Sequence, residues 1–336
     1  MPELTCVIHV HSVHSDGTGT IPEIAAAARE TGADVVIVTD HDDLRAAREA
    51  GWHDGLLVIA GHEVSPIYGS HLLALGTDGI VAHAARSARA VIDDVHARGG
   101  VGFAAHPFSR GGWVLGRAGR AAPYADLRAP VDGIELWSLV TDTLEHLHSP
   151  AQLLRFGRDP DAVLTDPPAR NLARWDELGR ERRMPAIAGL DAHQYGLRRG
   201  DRVVVRTMSY ARSFALLRTH VLLDDDGEVA APAVIAALAA GRAFLARDSL
   251  ADATGFRFGP GMGDEAAFAE PVELVAAAPR PCTLRLWRDG DLVAETSQAR
   301  ELRHRADGPG VWRVSAHLEH RGVERTWVLT NAVYLR

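Results

Sequence analysis

Short apolar runs alternate with amphipathic segments along roughly the first 250 residues of the chain. The runs that read as strands are TCVIHV, ADVVIVTD, LLVIAG, HLLALG, VGFAAH, VDGIELW and PAIAGLDAH. ARSARAVIDDVHARGG and NLARWDELGRERR have helical spacing, and Thr20 with Glu23 predicts a capping box for a further helix that stops at Gly32. This alternation predicts an α/β fold, either a barrel or an open parallel sheet.

Two long connections interrupt the alternation. Residues 108–130 are rich in Gly and Arg, and residues 138–176 contain the stretch DPPAR. Connections of this length without secondary structure of their own are usually lids or binding loops. We therefore predict that both shape a binding site, with solvated surface excursions as the alternative.

The pattern changes after about residue 250. CTLRLWRDGDLVAE alternates apolar and polar residues as a strand does, and Asp289-Gly290 is placed as a hairpin turn. GVWRVSAHLEH and RTWVLTNAVYLR are also strand-like. We predict two domains, an α/β domain over residues 1–250 and a small β-sandwich of immunoglobulin-like type over residues 251–336.

Composition narrows the class of protein. The 336 residues are 46% apolar and 24% charged, as in ordinary globular proteins, and the net charge of -8 argues against general binding to nucleic acid or anionic membranes. No apolar stretch approaches the roughly 18 residues of a membrane span, and the first residues lack a signal-peptide pattern. Cys6 and Cys282 are the only cysteines, which excludes a disulfide framework. We predict a cytoplasmic protein, and its oligomeric state stays open.

Histidine is the unusual component, with 17 copies in the chain. Ligand-type side chains stand where the predicted strands begin or end, and they are His9, His11, Asp16, Asp40, His41, Glu63, His71, His106, Asp191 and His193. A lone His is more often a core residue, and a lone carboxylate at a strand end is often a helix cap. The carboxyl ends of parallel strands converge on one rim, so the joint pattern predicts a metal site there.

These motifs resemble the PHP family, the polymerase and histidinol phosphatase metallohydrolases. The resemblance rests on HVHSVHSDG, TDHD at 39–42, GHE at 61–63, His71, AAHP at 104–107 and GLDAH at 189–193. It implies a distorted (β/α)7 barrel with two or three divalent ions, a trinuclear centre when all three bind. By position, the first ion would take His9, His11, Glu63 and Asp191, the second Glu63, His71 and His106, and the third Asp16, His41 and His193.

The tail has a weaker resemblance to standalone hydrolases of the carbaryl-hydrolase-like branch. It is carried by AALAAGRAFLARDSLADATGFRF and WVLTNAVYL. Imidazole and carboxylate ligands suit Zn, Mn or Fe and do not choose among them.

We predict a metal-dependent phosphoesterase that acts on a small phosphorylated metabolite or nucleotide through a metal-bound hydroxide. Glu63 would bridge two ions, and Asp191, His193 or another acid in the pocket would protonate the leaving group. Arg110, Arg117 and Trp113 in the first long connection are the predicted substrate-binding residues, because guanidinium groups match phosphate geometry. Asp40 and Glu135 are further candidates for the pocket. The alternatives are a carbamate, ester or amide hydrolase with the same metals, or a non-catalytic metal-binding interaction module.

Overall fold

A mixed α/β architecture with one large sheet forms the framework of the protein. The computed structural model describes residues 2–66, 70–84, 86–110, 127, 129–194, 196–200, 202–206, 208–224 and 229–336. In these ranges no helix has the length and apolar character that crossing a membrane requires.

The bounds of the elements are as follows. The strands are β1 (Glu3–Val10), β2 (Val35–His41), β3 (Gly51–His53), β4 (Leu56–Val64), β5 (Leu72–Leu75), β6 (Val101–Ala104), β7 (Gly133–Ser138), β8 (Ala186–Gly189), β9 (Gly196–Arg199), β10 (Arg202–Arg206), β11 (Arg218–Leu222), β12 (Ala243–Ala246), β13 (Arg257–Gly259), β14 (Glu265–Ala266), β15 (Val272–Arg288), β16 (Asp291–Ala306), β17 (Gly310–His320), β18 (Val323–Thr330) and β19 (Val333–Leu335). The helices are α1 (Ile21–Glu30), α2 (Ala88–Ala97), α3 (Leu139–Leu144), α4 (Pro150–Arg158), α5 (Ala169–Glu181), α6 (Tyr210–Phe214) and α7 (Ala231–Ala240).

Local signals determine where α1 begins and ends. The Thr20 side chain accepts a hydrogen bond from the backbone N–H of Glu23, and the Glu23 carboxylate accepts one from the backbone N–H of Thr20. Gly32, with a φ of 74°, follows the last turn. The predicted capping box and the predicted stop are both confirmed.

The strands that carry or adjoin the candidate ligands lie next to one another in the order β1-β2-β4-β5-β6-β7-β8, and β11 pairs with the other edge of β1. Strands β1, β2 and β4 are parallel, as are β6, β7 and β8. The predicted α/β class is confirmed as a mixed sheet, in which β5 is antiparallel to both neighbours. Residues 65–71 alone join β4 to β5, and a connection this short cannot make the crossover that a parallel pair needs.

The last strand in this order, β8, lies close to the first strand, β1. The backbone N–H of Leu190, just after β8, donates to the carbonyl of Ile8 in β1, and the N–H of His11 donates to the carbonyl of Ala192. These bonds bring the ends of β1 and β8 together, so residues near 9, 11 and 191 meet although they are far apart in sequence. The seven-unit barrel itself stays a prediction.

The second long connection is helical over much of its length, so the prediction of a structureless loop at 138–176 is wrong. It contains α3, α4 and the first part of α5. The side chain of Ser149 accepts a hydrogen bond from the N–H of Gln152, and Pro150 occupies the first turn of α4. This start signal is present in the sequence but was not recognised. Most of the first connection, residues 108–130, lies outside the described residues.

The C-terminal strands pair mostly in antiparallel fashion, and only β14 with β19 is a parallel pair among those described. The predicted turn at Asp289-Gly290 is confirmed, because both residues have positive φ (55° and 96°) and join β15 to β16 as a hairpin. Strand β18 also pairs with β12 of the preceding part, with Phe244 opposite Thr330. The sheet therefore continues across the predicted boundary near residue 250. That boundary and the immunoglobulin-like topology stay predictions.

Candidate metal centre

Glu63, near the end of β4, is fully buried and stands at the centre of the candidate ligands. Five imidazole nitrogens lie within 3.3 Å of its two carboxylate oxygens. His9 Nε2, His11 Nε2 and His41 Nδ1 face Oε2 at 3.2, 3.3 and 3.1 Å, and His71 Nδ1 and His106 Nε2 face Oε1 at 2.8 and 3.3 Å.

All nine predicted ligands come together at this position. Within the described residues, they and Glu135 form four overlapping groups whose ligand atoms lie within 4.8 Å of one another. The groups are His9, His11, Glu63 and Asp191; His11, Asp16, His41 and His193; His41, Glu63 and His71; and His9, His106 and Glu135. The first two contain the ligand sets that the PHP resemblance implies for the first and third ions. The assignment of side chains to individual ions stays a prediction.

The backbone is strained at three of these positions. His9, His106 and Asp191 have φ values of 66°, 30° and 50°, which non-glycine residues rarely adopt. At His9 the pairing of β1 with β2 shifts between Ile8 and Val10, as in a β-bulge. Such strain persists only where the surrounding structure enforces it, and it concentrates at functional sites. The bulge aims both His9 and His11 at the same oxygen of Glu63.

Glu135, in β7, contacts the ring nitrogen of His9 that does not face Glu63. Its Oε2 lies 3.0 Å from His9 Nδ1 and accepts a hydrogen bond from the backbone N–H of His106 at 2.9 Å. A proton on His9 Nδ1 leaves the lone pair on Nε2 directed toward Glu63 and Asp191, as in the carboxylate–histidine pairs of metal sites. A side chain at Gly189 would collide with this carboxylate, since a Cβ there would lie 2.1 Å from Glu135 Oε1.

Asp40 binds the loop that carries the ligands. One of its oxygens accepts from the Ser12 N–H and from the Ser15 hydroxyl, both at 2.7 Å, and the other accepts from the Ser12 hydroxyl at 2.7 Å. Both oxygens of Asp40 are thereby used. This geometry fits a positioning residue for the loop between His11 and Asp16 better than a metal ligand.

Tyr210, at the start of α6, was missed by the sequence analysis. Its hydroxyl donates to the carbonyl of His11 at 2.7 Å and accepts from the N–H of Gly19 at 3.1 Å. The same oxygen lies 3.2 Å from the carbonyl of His193. A Cβ at Gly19 would lie 2.3 Å from the tyrosine ring. The only sequence signal for this contact was the glycine spacing in SDGTG.

The donor set fits divalent cations. His11 Nε2 is buried and makes no hydrogen bond with a described residue, although it lies 3.3 Å from both Glu63 Oε2 and Asp191 Oδ1. Neutral imidazoles would direct lone pairs at these carboxylates, and protonation of all of them would concentrate too much positive charge. Cations among the side chains remove both conflicts, and nitrogen with oxygen donors suits Zn, Mn or Fe.

The surroundings shift the pKa values of the candidate ligands in different directions. Burial alone would raise the pKa of Glu63, but the charge of His9 and hydrogen bonds from His106 and His71 bring it well below its ordinary value. Burial and the charge of His193 lower the pKa of His11 to about 4. The pKa of His193 is raised to about 9, because contacts with Asp16 and Asp191 outweigh its burial. Cations therefore compete with protons for these groups.

The predicted substrate-binding residues have different outcomes. Arg110 is exposed, and its backbone N–H donates to Glu145 Oε1 at 2.6 Å. The same Glu145 is paired with Arg170. Arg117 and Trp113 lie outside the described residues. Contact of Arg110 with a substrate stays a prediction.

The chain is similar to known phosphoesterases. No family model matches it. It is 37% identical over 79 residues to a phosphoribosyl 1,2-cyclic phosphate 1,2-diphosphodiesterase of Eggerthella lenta, a stretch that covers 21% of this chain and 30% of that enzyme. The matched stretch thus spans less than a third of this curated relative's length.

Solved structures resemble the chain more distantly. A two-domain protein of Bacteroides vulgatus, described as containing a predicted PHP-like metal-dependent phosphoesterase, has 16% identity and a TM-score of 0.45, over 99% of this chain and 95% of that chain. A protein of Bifidobacterium adolescentis described as a metal-dependent phosphoesterase has 19% identity and a TM-score of 0.36, over 60% of this chain and 92% of that chain. The curated relative that matches in sequence is a phosphoesterase, whereas membership of the PHP family and of the carbaryl-hydrolase-like branch stay predictions.

Proposed function

We propose that this protein is a metal-dependent phosphoesterase of PHP type that hydrolyses small phosphorylated compounds. The observation that carries the proposal is the convergence of five imidazoles on the buried carboxylate of Glu63. Two or three divalent ions, of Zn, Mn or Fe, would be held by the nine ligands. The barrel of PHP type, the immunoglobulin-like domain and the cytoplasmic location belong to the same proposal.

The roles of the residues follow from their burial. His9, His11 and Glu63 are inaccessible to solvent, whereas the side chains of Asp16 and His41 are 56% and 29% exposed. We therefore infer that the substrate approaches from the side of Asp16 and His41. Divalent ions at such a site lower the pKa of a bound water and polarise the phosphoryl oxygen.

The proton for the leaving group is assigned to the same open side. His193 Nε2 lies 3.1 Å from Asp16 Oδ1, and His193 would supply this proton only while its Nε2 carries a proton rather than the third ion. Asp191 is the other candidate for this role. Its carboxylate lies against His9 and His11 deeper in the site.

The proposal is tested on protein purified without chelators. Elemental analysis is expected to find at least two transition-metal ions per chain. The purified protein is then assayed with a phosphomonoester, a phosphodiester and an aryl carbamate. Hydrolysis of a phosphate ester that is lost after chelation and recovered with added metal supports the proposal. Preferential hydrolysis of the carbamate would contradict it, and so would protein that binds metal but hydrolyses none of the three.

A further inference from the structure

A cavity of about 610 Å³ opens between α3, α4 and the residues Arg206 and Met208. Its volume is in the range of about 300–1,000 Å³ that is usual for small-molecule sites. Apolar side chains provide most of its lining, among them Val140, Leu144, Phe156 and Met208. None of the candidate metal ligands lines it.

From the chain topology we infer that the cavity opens at the same edge of the sheet as the candidate metal centre. Strands β7 and β8 are parallel neighbours, so the segments that follow them leave the sheet at one edge. Helix α3 directly follows β7, the strand of Glu135, and the β9–β10 hairpin follows His193. Met208 is two residues from Tyr210, whose hydroxyl contacts the carbonyls of His11 and His193. A molecule bound at the metals can therefore extend toward this cavity.

Two arginines give the cavity a positive charge. Arg158, at the end of α4, and Arg206, at the end of β10, both line it. Both residues are exposed, and among the described residues no carboxylate forms an ion pair with either guanidinium group. Most other arginines of the described chain have such a partner, for example Arg198 with Glu23. An apolar chamber with two unpaired guanidinium groups complements an apolar molecule that carries an anionic group.

We propose that this cavity binds the alcohol part of the phosphate ester, and that this part is an apolar group with a second anionic substituent. The phosphate would lie at the metals, the apolar body against Leu144 and Phe156, and the anionic substituent against Arg158 and Arg206. This inference rests on the proposed function and adds a substrate class to it. It predicts that kcat/KM of the enzyme depends on the leaving group of the phosphate ester.

The kinetic test uses methyl phosphate, phenyl phosphate and para-carboxyphenyl phosphate. Leu154 lines the cavity and is 53% exposed, so Leu154→Trp reduces the space without replacing a core residue. It is expected to lower kcat/KM about tenfold for both aryl esters and to leave methyl phosphate unchanged. Arg206→Gln is expected to lower kcat/KM about tenfold for the carboxyphenyl ester alone.

Matched controls separate these effects from general damage. Leu292→Trp places the same residue at a 48% exposed position on β16, and Arg202→Gln removes an exposed arginine of the same hairpin that does not line the cavity. Neither control is expected to change the ratios between substrates. If Leu154→Trp and Arg206→Gln lower kcat/KM equally for all three esters, or for none, the proposal is overturned.

A binding test keeps this proposal separate from the proposed function. Anilinonaphthalene sulfonate combines apolar rings with an anionic group, and its fluorescence reports binding without catalysis. The wild-type protein is expected to bind it, and Leu154→Trp and Arg206→Gln are each expected to weaken binding about tenfold. Absence of hydrolysis together with this binding pattern would reject the phosphoesterase but keep the site for an amphipathic anion. Probe binding that is absent, or unchanged in both variants, would overturn the cavity site.

Discussion

Buried charges occur both at the metal centre and where the C-terminal strands contact the rest of the chain, but they are arranged differently. At that contact, the guanidinium of Arg313 makes two hydrogen bonds of 2.7 Å to the carboxylate of Asp176. It also lies over the rings of Trp175 and Trp287, 5.6 and 5.0 Å from their centres. In the preceding part of the chain, His220 on β11 lies similarly between Glu3 and Asp248. Arg313 and His220 are therefore both paired with carboxylates of the protein.

At the candidate metal centre, the charged groups are not paired one to one. Five imidazoles face the single carboxylate of Glu63, and His11 Nε2 has no hydrogen-bond partner among the described residues. Burial costs less free energy when opposite charges pair one to one within the protein, so a buried cluster in which several imidazoles share a carboxylate is suited to binding cations. The comparison therefore separates ion pairs that stabilise the fold from side chains that are candidate metal ligands.

The largest effect is expected from Glu63→Gln. The variant keeps the shape of the side chain but removes the charge that every one of the five imidazoles faces. Metal content is expected to fall by at least two ions per chain, and kcat/KM for a phosphate ester by at least about a hundredfold. Elemental analysis and steady-state kinetics measure the two losses.

A neighbour on the same strand provides the control for Glu63→Gln. His62 is buried, but its Nε2 accepts a hydrogen bond from the N–H of Val81 and its side chain is in none of the ligand groups. His62→Gln is expected to keep its metal ions. If both variants lose metal equally, damage to β4 would explain the loss, and Glu63 would have no special position.

Arg313→Ala is expected to lower stability without affecting the metal centre. Removal of one member of a buried ion pair leaves Asp176 charged and unpaired, which costs about 3–5 kcal/mol in the free energy of unfolding. Urea unfolding measures the change. Arg303→Ala, in an exposed pair with Glu301, is expected to leave the free energy of unfolding nearly unchanged, because solvent screens exposed charges. Loss of metal from folded Arg313→Ala protein would contradict the separation of the two regions.

The ion pairs of His220 predict a pH dependence of stability. Burial alone would lower the pKa of His220, but Asp248 and Glu3 raise it from 6.5 to about 9. The stabilisation is fully present below pH 6.5 and is lost as the pH rises toward 9, a total of about 3 kcal/mol. Urea unfolding at several pH values across this window measures it. His220→Gln is expected to flatten the slope, and an unchanged slope would contradict the assignment.

The smallest effect is expected from His41→Ala, which tests the division of the centre into separate ions. His41 is part of the more exposed group with His11, Asp16 and His193. The variant is expected to lose one ion per chain and to retain the others, with kcat/KM lowered about tenfold. Elemental analysis counts the ions. If His41→Ala loses every ion, the assignment of ligands to a separate third ion is wrong.

Local patterns in the sequence determined several features of this protein by themselves. The capping box of Thr20 and Glu23 and the turn at Asp289-Gly290 form because their interactions lie within a few residues of one another. The convergence of the nine candidate ligands was also predictable, because each of them stands near the end of a recognisable strand. Helix α4 was missed although its start signal at Ser149 and Pro150 is local.

Only the tertiary structure revealed the contacts that position the candidate ligands. The bulge at His9, the contact of Glu135 with His9 Nδ1 and the bond from Tyr210 to the carbonyl of His11 join residues up to 199 positions apart. Likewise, the pairing of Arg313 with Asp176 joins positions 137 residues apart. The sequence does not reveal such partners, because they depend on which strand ends meet when the sheet returns to β1. The same residue types therefore become ion pairs in one region and candidate metal ligands in the other.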